Sequence, residues 1–356
     1  MTASTEFEQK HARVAAWLAD ADRDGIVVRA APNVAWLASG GEILRPGAHP
    51  VFVLTANRAL LLCATEDADR LRQEEVRGVA VEVVPVLSLA LDALGDRVRG
   101  LVPDVKRWCS DTESGEWESA PGFEVLRRSL LPDEVDRAIR LGRDAAAAVE
   151  DVASECYRGI GERDAAARLA AECIRRGLRV RDLIAGADDR FETYGRPAPK
   201  SGVAERSLVL GLVAARGGLH AAVTRTLCLT APDETFLQRF AGGCDLAARL
   251  RHFTRTGETL GSVIQRALPQ PPVHLGSLGG VTGYAFFEHE ARPSSPWKLA
   301  AHQMLVWTVG KAGMRIEETL LAGPEGFVPV TSTEDWPRRT IHIEGAVYDL
   351  PDLLLI

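Results

Sequence analysis

Long apolar runs are missing from this chain. No stretch approaches the roughly 20 apolar residues of a membrane-spanning helix, so no membrane partner is expected. A basic excess is missing too. Lys and Arg number 42 against 49 Asp and Glu, a formal net charge of −7, whereas nucleic-acid binding needs a basic face. The cysteines (Cys63, Cys109, Cys156, Cys173, Cys228, Cys244) form no C-x-x-C pair, which suits reduced, buried thiols in a cytoplasmic protein. No phosphate-binding loop is expected: "GSLGGVTG" has the glycines but lacks a lysine and a strand-to-helix context. There is no Ser-His-Asp spacing signature, internal repeat or low-complexity segment. The opening "MTASTEFEQKHARV" is polar and mixed in charge, so a secretory leader is not expected.

The 356 residues, 46% of them apolar, suffice for two domains with sizeable cores. In the first third, helix and strand patterns alternate. Val14, Trp17, Leu18 and Ala21 recur at helical spacing, Ile26, Val27 and Val28 read as a short buried strand, and Pro32 opens a helical turn in "APNVAWL". "VFVLT" and "ALLLCA" read as a hairpin, "EDADRLRQEEV" as a charged helix, "VAVEVVPV" as a strand, "LSLALDALGDRV" as a helix and "GFEVL" as a last strand. Pro132 with Asp133 and Glu134 then marks the entry of a long Ala-rich helix. "GERDAAARLAAECIRRGL" is a second amphipathic helix. Beyond Leu183, β-rich segments alternate with the helices "DETFLQRFAGGCDLAARLRHF" and "TLGSVIQRAL". The expected domains are 1–128 and 129–356.

The order of these pieces resembles the creatinase/prolidase/aminopeptidase P family, the pita-bread proteins. "RVAAWLADADRDGIVVRAAPNVAWLASGG" is similar to that family's N-terminal domain, and "LLPDEVDRAIRLGRDA" to its linker and first catalytic-domain helix. "GIGERDAAARLAAE", "RGGLHAAVTRT", "GYAFFEHE", "MLVWTV" and "GMRIEETLL" follow in the family's order. The resemblance implies an α+β architecture: an N-terminal α/β creatinase-like domain, then a pita-bread domain of two α+β halves around curved antiparallel strands. It also implies a homodimer.

Active metallopeptidases of this family hold two divalent metals with two Asp, one His and two Glu. Several negative oxygens are needed to neutralise two close cations and to position a bridging hydroxide. The family's first hairpin reads Asp-x-Gly, then Gly-Tyr-x-x-Asp-x-Thr-Arg-Thr. Anchored on Thr224, Arg225 and Thr226, the second Asp falls at Ala222 and the first at Gly211. The metal histidine, counted back from His289 and Glu290, falls at Thr282. The Glu of the next strand, anchored on Met304, falls at Val309, while the last motif keeps Arg315, Ile316 and Glu317, with Glu318 in place of Asp. Only Glu317 survives of the five ligands. Carboxylates left clustered without cations would repel and be desolvated at a cost of several kcal/mol, so removal as a set is favoured. No metal or other cofactor is therefore expected.

Glu317 is the first catalytic candidate. It either grips a cationic group or acts as general acid/base, or it pairs with Arg225 or another arginine and ties the sheets together. His289 and Glu290 match the family's His-Glu pair and offer a proton shuttle near neutral pH, or a histidine packed at a strand end. His220, Arg225, Tyr284, Trp307 and Arg315 are candidates for substrate binding. His274 and His302 could flank the pocket, and Tyr284, Phe286, Phe287 and Trp307 could wall it or serve as core. The family's other substrate histidine has no counterpart in "FETYGRPAPKSGVAERS", where Tyr194 and Lys200 are the nearest polar substitutes.

The leading expectation is a metal-independent enzyme acting on a small amino-acid-derived or cationic substrate by acid/base catalysis: C–N hydrolysis, elimination or cyclisation. The alternative is a pseudo-peptidase serving as a binding or scaffold protein, its pocket filled by side chains. A third reading, an ordinary Xaa-Pro peptidase with a different ligand set, would call on Asp188 and Asp189.

Overall fold

The computed structural model describes residues 3–46, 49–113, 116–270, 277–311, 313–324 and 326–356. The chain divides into two compact units, Met1–Glu134 and Val135–Ile356.

In the first unit, α1 (Ala3–Asp20) leads to β1 (Gly25–Val28), α2 (Ala31–Leu37), β2 (Val51–Thr55) and β3 (Ala59–Ala64). A one-turn α3 (Ala68–Arg70), β4 (Glu82–Val86), α4 (Leu91–Leu101), β5 (Trp108–Ser110) and β6 (Glu118–Ser119) follow. The six strands form one sheet in the order β4-β3-β2-β1-β5-β6. Two sequence expectations are corrected here. "EDADRLRQEEV" is no continuous α-helix: a 3-10 turn (Thr65–Asp67) and a π turn (Leu71–Glu75) flank α3. "GFEVL" is not a strand but part of a 3-10 helix, Phe123–Arg127. Gly122, at φ +83°, turns the chain into it, and Phe123 is buried edge-on to Trp17 and Trp36. The last strands are instead β5, which pairs parallel to β1, and β6, which pairs parallel to β5. Beneath α1 the ammonium of Lys10, wholly buried, meets Glu6 at 2.6 Å, Glu134 at 2.9 Å and the Trp36 carbonyl at 2.5 Å. Such a charge is tolerable only because it is paired and hydrogen-bonded.

The second unit contains α5 (Pro132–Ser154, whose first turn belongs to the first unit), α6 (Glu162–Arg175), β7 (Arg179–Ala187), α7 (Asp188–Tyr194), β8 (Ser207–Arg216) and β9 (Leu219–Cys228). Next come α8 (Glu234–Phe253), α9 (Leu260–Ala267), β10 (Gly279–Thr282), β11 (His289–Glu290), β12 (Met304–Lys311) and β13 (Met314–Gly323). The chain finishes with β14 (Gly326–Pro329), β15 (Arg338–Ile343), β16 (Ala346–Pro351) and β17 (Leu354–Leu355). One sheet runs β17-β9-β8-β7, a second β11-β10-β12-β13-β14, and β15 pairs with β16. Gly217 and Gly218, at φ +56° and +81°, make the two-residue turn that fixes the β8–β9 register.

Helices α8 and α9 cover one face of the second sheet. Phe240, Cys244, Leu250, Val263 and Ile264 pack there against Leu305, Trp307, Val309, Ile316 and Leu320. Asp233 and Thr259 cap the two helices through their side chains. The sheets are joined where β9 meets β13. The Thr319 hydroxyl accepts from the Ala222 N–H at 2.8 Å and donates to the Ala222 carbonyl at 2.9 Å.

That single hydroxyl satisfies a buried donor and a buried acceptor. Thr319→Val keeps the shape and loses both bonds. It should cost roughly 2–4 kcal/mol by denaturant unfolding, since an unpaired buried polar group costs about 1–3 kcal/mol. Thr319→Ser should retain most of the stability.

Candidate functional site

Strand alternation decides which side chains can meet. On β8 and β9, Gly211 pairs with Thr224 and Val213 with Ala222, so these four share a face. On β12 and β13, Thr308 pairs with Glu317 and Val306 with Thr319. Val213, Ala222 and Val306 form one buried cluster, with Phe286 and Phe287 packed against it. The Thr224 hydroxyl donates to the Arg315 carbonyl at 3.0 Å. Gly211, Ala222 and Glu317 are thus gathered where β9 meets β13.

Glu317 is 3% exposed. Its Oε1 accepts from the Thr308 hydroxyl at 2.8 Å and from Arg315 Nη2 at 2.7 Å. Arg315 stands two residues before Glu317 on the same strand, hence on the same face. The partner expected from the sequence, Arg225, lies elsewhere. It is 2% exposed, bridges to Glu150 of α5 at 2.6 Å, donates to the Thr224 and Thr331 carbonyls and lies over the Trp336 ring. Its donors tie α5 and the 331 loop to β9.

Two of the four replaced ligand positions do not reach Glu317. Val309 is one rung away, but its side chain points to the helix layer and packs with Trp307 and Ile316. Thr308 occupies the facing position. Thr282 pairs with Met304, which pairs with Leu321. It is therefore two strands across and four residues along from Glu317, about 13 Å along the strands alone.

His289 and Glu290 also part company with Glu317. His289 pairs with Val281, a residue of the helix-side core. Its ring stacks on Trp297 at 4.9 Å, and Nε2 lies 2.6 Å from the Ser295 hydroxyl. It faces the opposite side of the sheet from Glu317. Glu290 pairs with Arg292 at the surface, at 2.6 Å. Trp307 is core, its indole N–H donating to the Thr254 hydroxyl at 2.9 Å. Tyr284 is buried, its hydroxyl 3.3 Å from Arg137 Nη2. His302 is exposed in a turn, and Tyr194 and Lys200 are exposed as well. His274 lies outside the described residues. Asp188 spends its carboxylate on the backbone N–H groups of Glu205, Arg206 and Ser207, while Asp189 pairs with Arg206. That use leaves no second ligand set there.

His220 is buried on the face of Ala222. Both its backbone N–H, at 2.9 Å, and its Nδ1, at 3.1 Å, meet the Gly283 carbonyl. A carbonyl only accepts, so Nδ1 carries the proton. Burial holds the ring below its ordinary pKa, and the Arg181 charge adds to this against the opposing Gly283 bond.

Sequence reasoning missed Thr308 and Thr319, which no motif marks. It also missed the environment of Glu318. On the helix side, burial pushes that carboxyl above its ordinary range, against the pull of Arg225, Arg251 and Arg338.

This architecture has close counterparts among solved structures. An X-Pro aminopeptidase from Thermotoga maritima MSB8 superposes with a TM-score of 0.78 at 15% identity, covering 97% of this chain and 99% of its own. A Xaa-Pro dipeptidase from Bacillus anthracis gives 0.75 at 17%, covering 98% and 100%. The N-terminal domain of the FACT complex subunit SPT16 from chickpea, Cicer arietinum, gives 0.65 at 14%, covering 92% and 96%. The chain has the α+β pita-bread fold of the prolidases and Xaa-Pro aminopeptidases, in a divergent sequence. No protein-family model and no curated protein matches it. Among the described residues, no helix is long and apolar enough to cross a membrane.

The residues present do not fit the two-cation centre that the family resemblance implies. Gly211, Ala222 and Val309 bring no donor, and Glu317 already holds a guanidinium. No group of three or more His, Cys, Asp or Glu suited to a metal ion occurs among the described residues. A Cβ at Gly211 would lie 2.8 Å from Thr224 Cγ2 and 3.2 Å from Ile184 Cβ, so neighbouring side chains occupy the space an aspartate needs.

Two outcomes follow from this packing. Gly211→Ala should lower stability by about 1–3 kcal/mol, the usual cost of overpacking. Adding Thr224→Ser, which removes the clashing methyl and keeps the hydroxyl, should recover much of it in chemical denaturation. For His220, a lowered folded pKa means stability present above its ordinary value of 6.5 and lost as pH falls through the folded pKa. The melting-temperature advantage of the wild type over His220→Asn should therefore shrink on acidification below that value.

Proposed function

We propose that this chain is a non-hydrolytic binding or scaffold protein built on a peptidase fold. The observation that carries this reading is the separation of Glu317 from His289 by the thickness of a sheet. Acid/base catalysis needs its groups within hydrogen-bond reach of the reacting atoms. The metal-independent hydrolase remains the second reading, favoured by the retention of one buried carboxylate beside Ala222 and Gly211.

Other features agree with a binding role. Phe286, Phe287, Val213 and Val306 pack around Ala222 on the face where peptidases of this fold carry their second aspartate. Glu317 and Arg315 neutralise one another, which suits a structural tie better than a proton donor. One of the structural neighbours is named as a subunit of a complex. Homodimeric assembly and a cytoplasmic setting belong to this proposal, carried by the family resemblance and the cysteine pattern.

The test is turnover. Purified protein incubated with Xaa-Pro dipeptides and manganese, cobalt or zinc should release no amino acid and gain no thermal stability from the metal. Metal-dependent hydrolysis abolished by Glu317→Gln would overturn the proposal in favour of a peptidase. Turnover of a guanidino or amino-acid-amide substrate without metal, again lost in Glu317→Gln, would overturn it in favour of the metal-independent enzyme.

A further inference from the structure

A second site lies in the same unit, where α8 begins. A cavity of about 130 Å³ opens there between α7, the start of β8, the end of β9 and the first turns of α8. In size it is close to the apolar cavity of about 150 Å³ known to admit benzene. Its floor is Cys228 and Phe236, 2% and 8% exposed. Burial pushes the Cys228 thiol up to about 11, so at neutral pH it is an uncharged, apolar surface and not a nucleophile.

The walls are charged. Arg206, whose Nη2 already pairs with Asp189, and Arg239 supply two guanidinium groups, Glu192 and Asp233 two carboxylates. Asp233 is committed, since its Oδ1 accepts the Phe236 N–H at 2.7 Å to cap α8. Arg239 is not. Its guanidinium lies over the Phe236 ring, 5.8 Å from the centroid. Its Nε is buried with no hydrogen-bond partner, and its Nη2 is 3.7 Å from Glu192 Oε1, beyond hydrogen-bond length. A guanidinium whose ion pair with Glu192 is stretched to 3.7 Å retains donor capacity for an incoming anion. Glu192 lies close to Gly313, where a Cβ would come within 2.9 Å of its Cγ.

We propose that this cavity binds a free α-amino acid with an apolar side chain of about leucine's size. The carboxylate spans the Arg239 fork toward Arg206, in the planar two-bond manner that guanidinium favours. The ammonium takes Glu192, relieving its stretched pairing with Arg239. The apolar side chain covers Cys228 and Phe236. Ser207 starts β8 four residues before Gly211, so this site is distinct from the Glu317 region, and the inference does not depend on what Glu317 does.

Calorimetric titration of the full chain tests it with three probes: L-leucine, L-leucinamide, which lacks the carboxylate, and 4-methylpentanoate, which lacks the ammonium. Saturable binding of leucine is expected, at least tenfold tighter than either analogue. Arg239→Gln should weaken leucine at least tenfold. Glu192→Gln, a change at a half-exposed side chain that leaves folding intact, should bring leucine down to the level of 4-methylpentanoate. A melting temperature of Arg239→Gln without ligand separates lost binding from lost fold. No saturable binding of leucine would overturn the proposal, as would binding that both variants leave unchanged.

Discussion

The seam between the two larger sheets of the second unit turns on one hydroxyl, that of Thr319, with Thr224 as a second tie. Thr319 serves the N–H and the carbonyl of Ala222 together, as a neighbouring strand would. A valine has the shape but neither function, and an aspartate at this point would bring a charge to a seam that needs a neutral donor and acceptor. With the seam closed this way, the side chain at 222 is surrounded by Val213 and Val306. Catalytic ligands and a sealed seam place opposite demands on the same few positions.

Charge follows the same logic. A carboxylate buried to the extent of Glu317 needs a partner. The partner is its own neighbour, Arg315, two residues earlier on the strand, so neutralisation is local. Arg225 is released to a separate task, holding Glu150 of α5, with Thr333 as a further donor to that carboxylate. Arginine suits both places because its planar fork serves carboxylates and carbonyls together.

Much of the fold was legible in the sequence because helix entries and motif order survive drift. Pro132 with two acids, the amphipathic run from Glu162, and the order of Thr-Arg-Thr, His-Glu and Arg-Ile-Glu are local or ordinal signals. Faces are not. A gap-free count places Val309 and Thr282 by position, yet a one-residue change of register turns a strand's side chains to the other face. Val309, paired with Ile316, faces the helices in this way. Gly279, at φ +121°, breaks the alternation of β10, so that Leu278 and Val281 both join the helix-side core. The "GFEVL" segment misled for a related reason: β-favouring residues carry no sign of the left-handed glycine that precedes them. The cavity at α8 was invisible because its five binding side chains come from separate stretches of chain, from Glu192 to Arg239, with no spacing rule between them.

The buried ammonium of Lys10 joins residues that sit more than a hundred positions apart in the chain. Glu6 belongs to the same helix, but Glu134 stands past Arg128, where composition alone would draw the domain border. A fragment cut at that border would keep the lysine and one acid, and strand the ammonium with half its counter-charge in a dry interior. The first unit therefore carries its own clasp in the opening turn of the helix that follows it, and it is whole only when the chain is read through to Glu134.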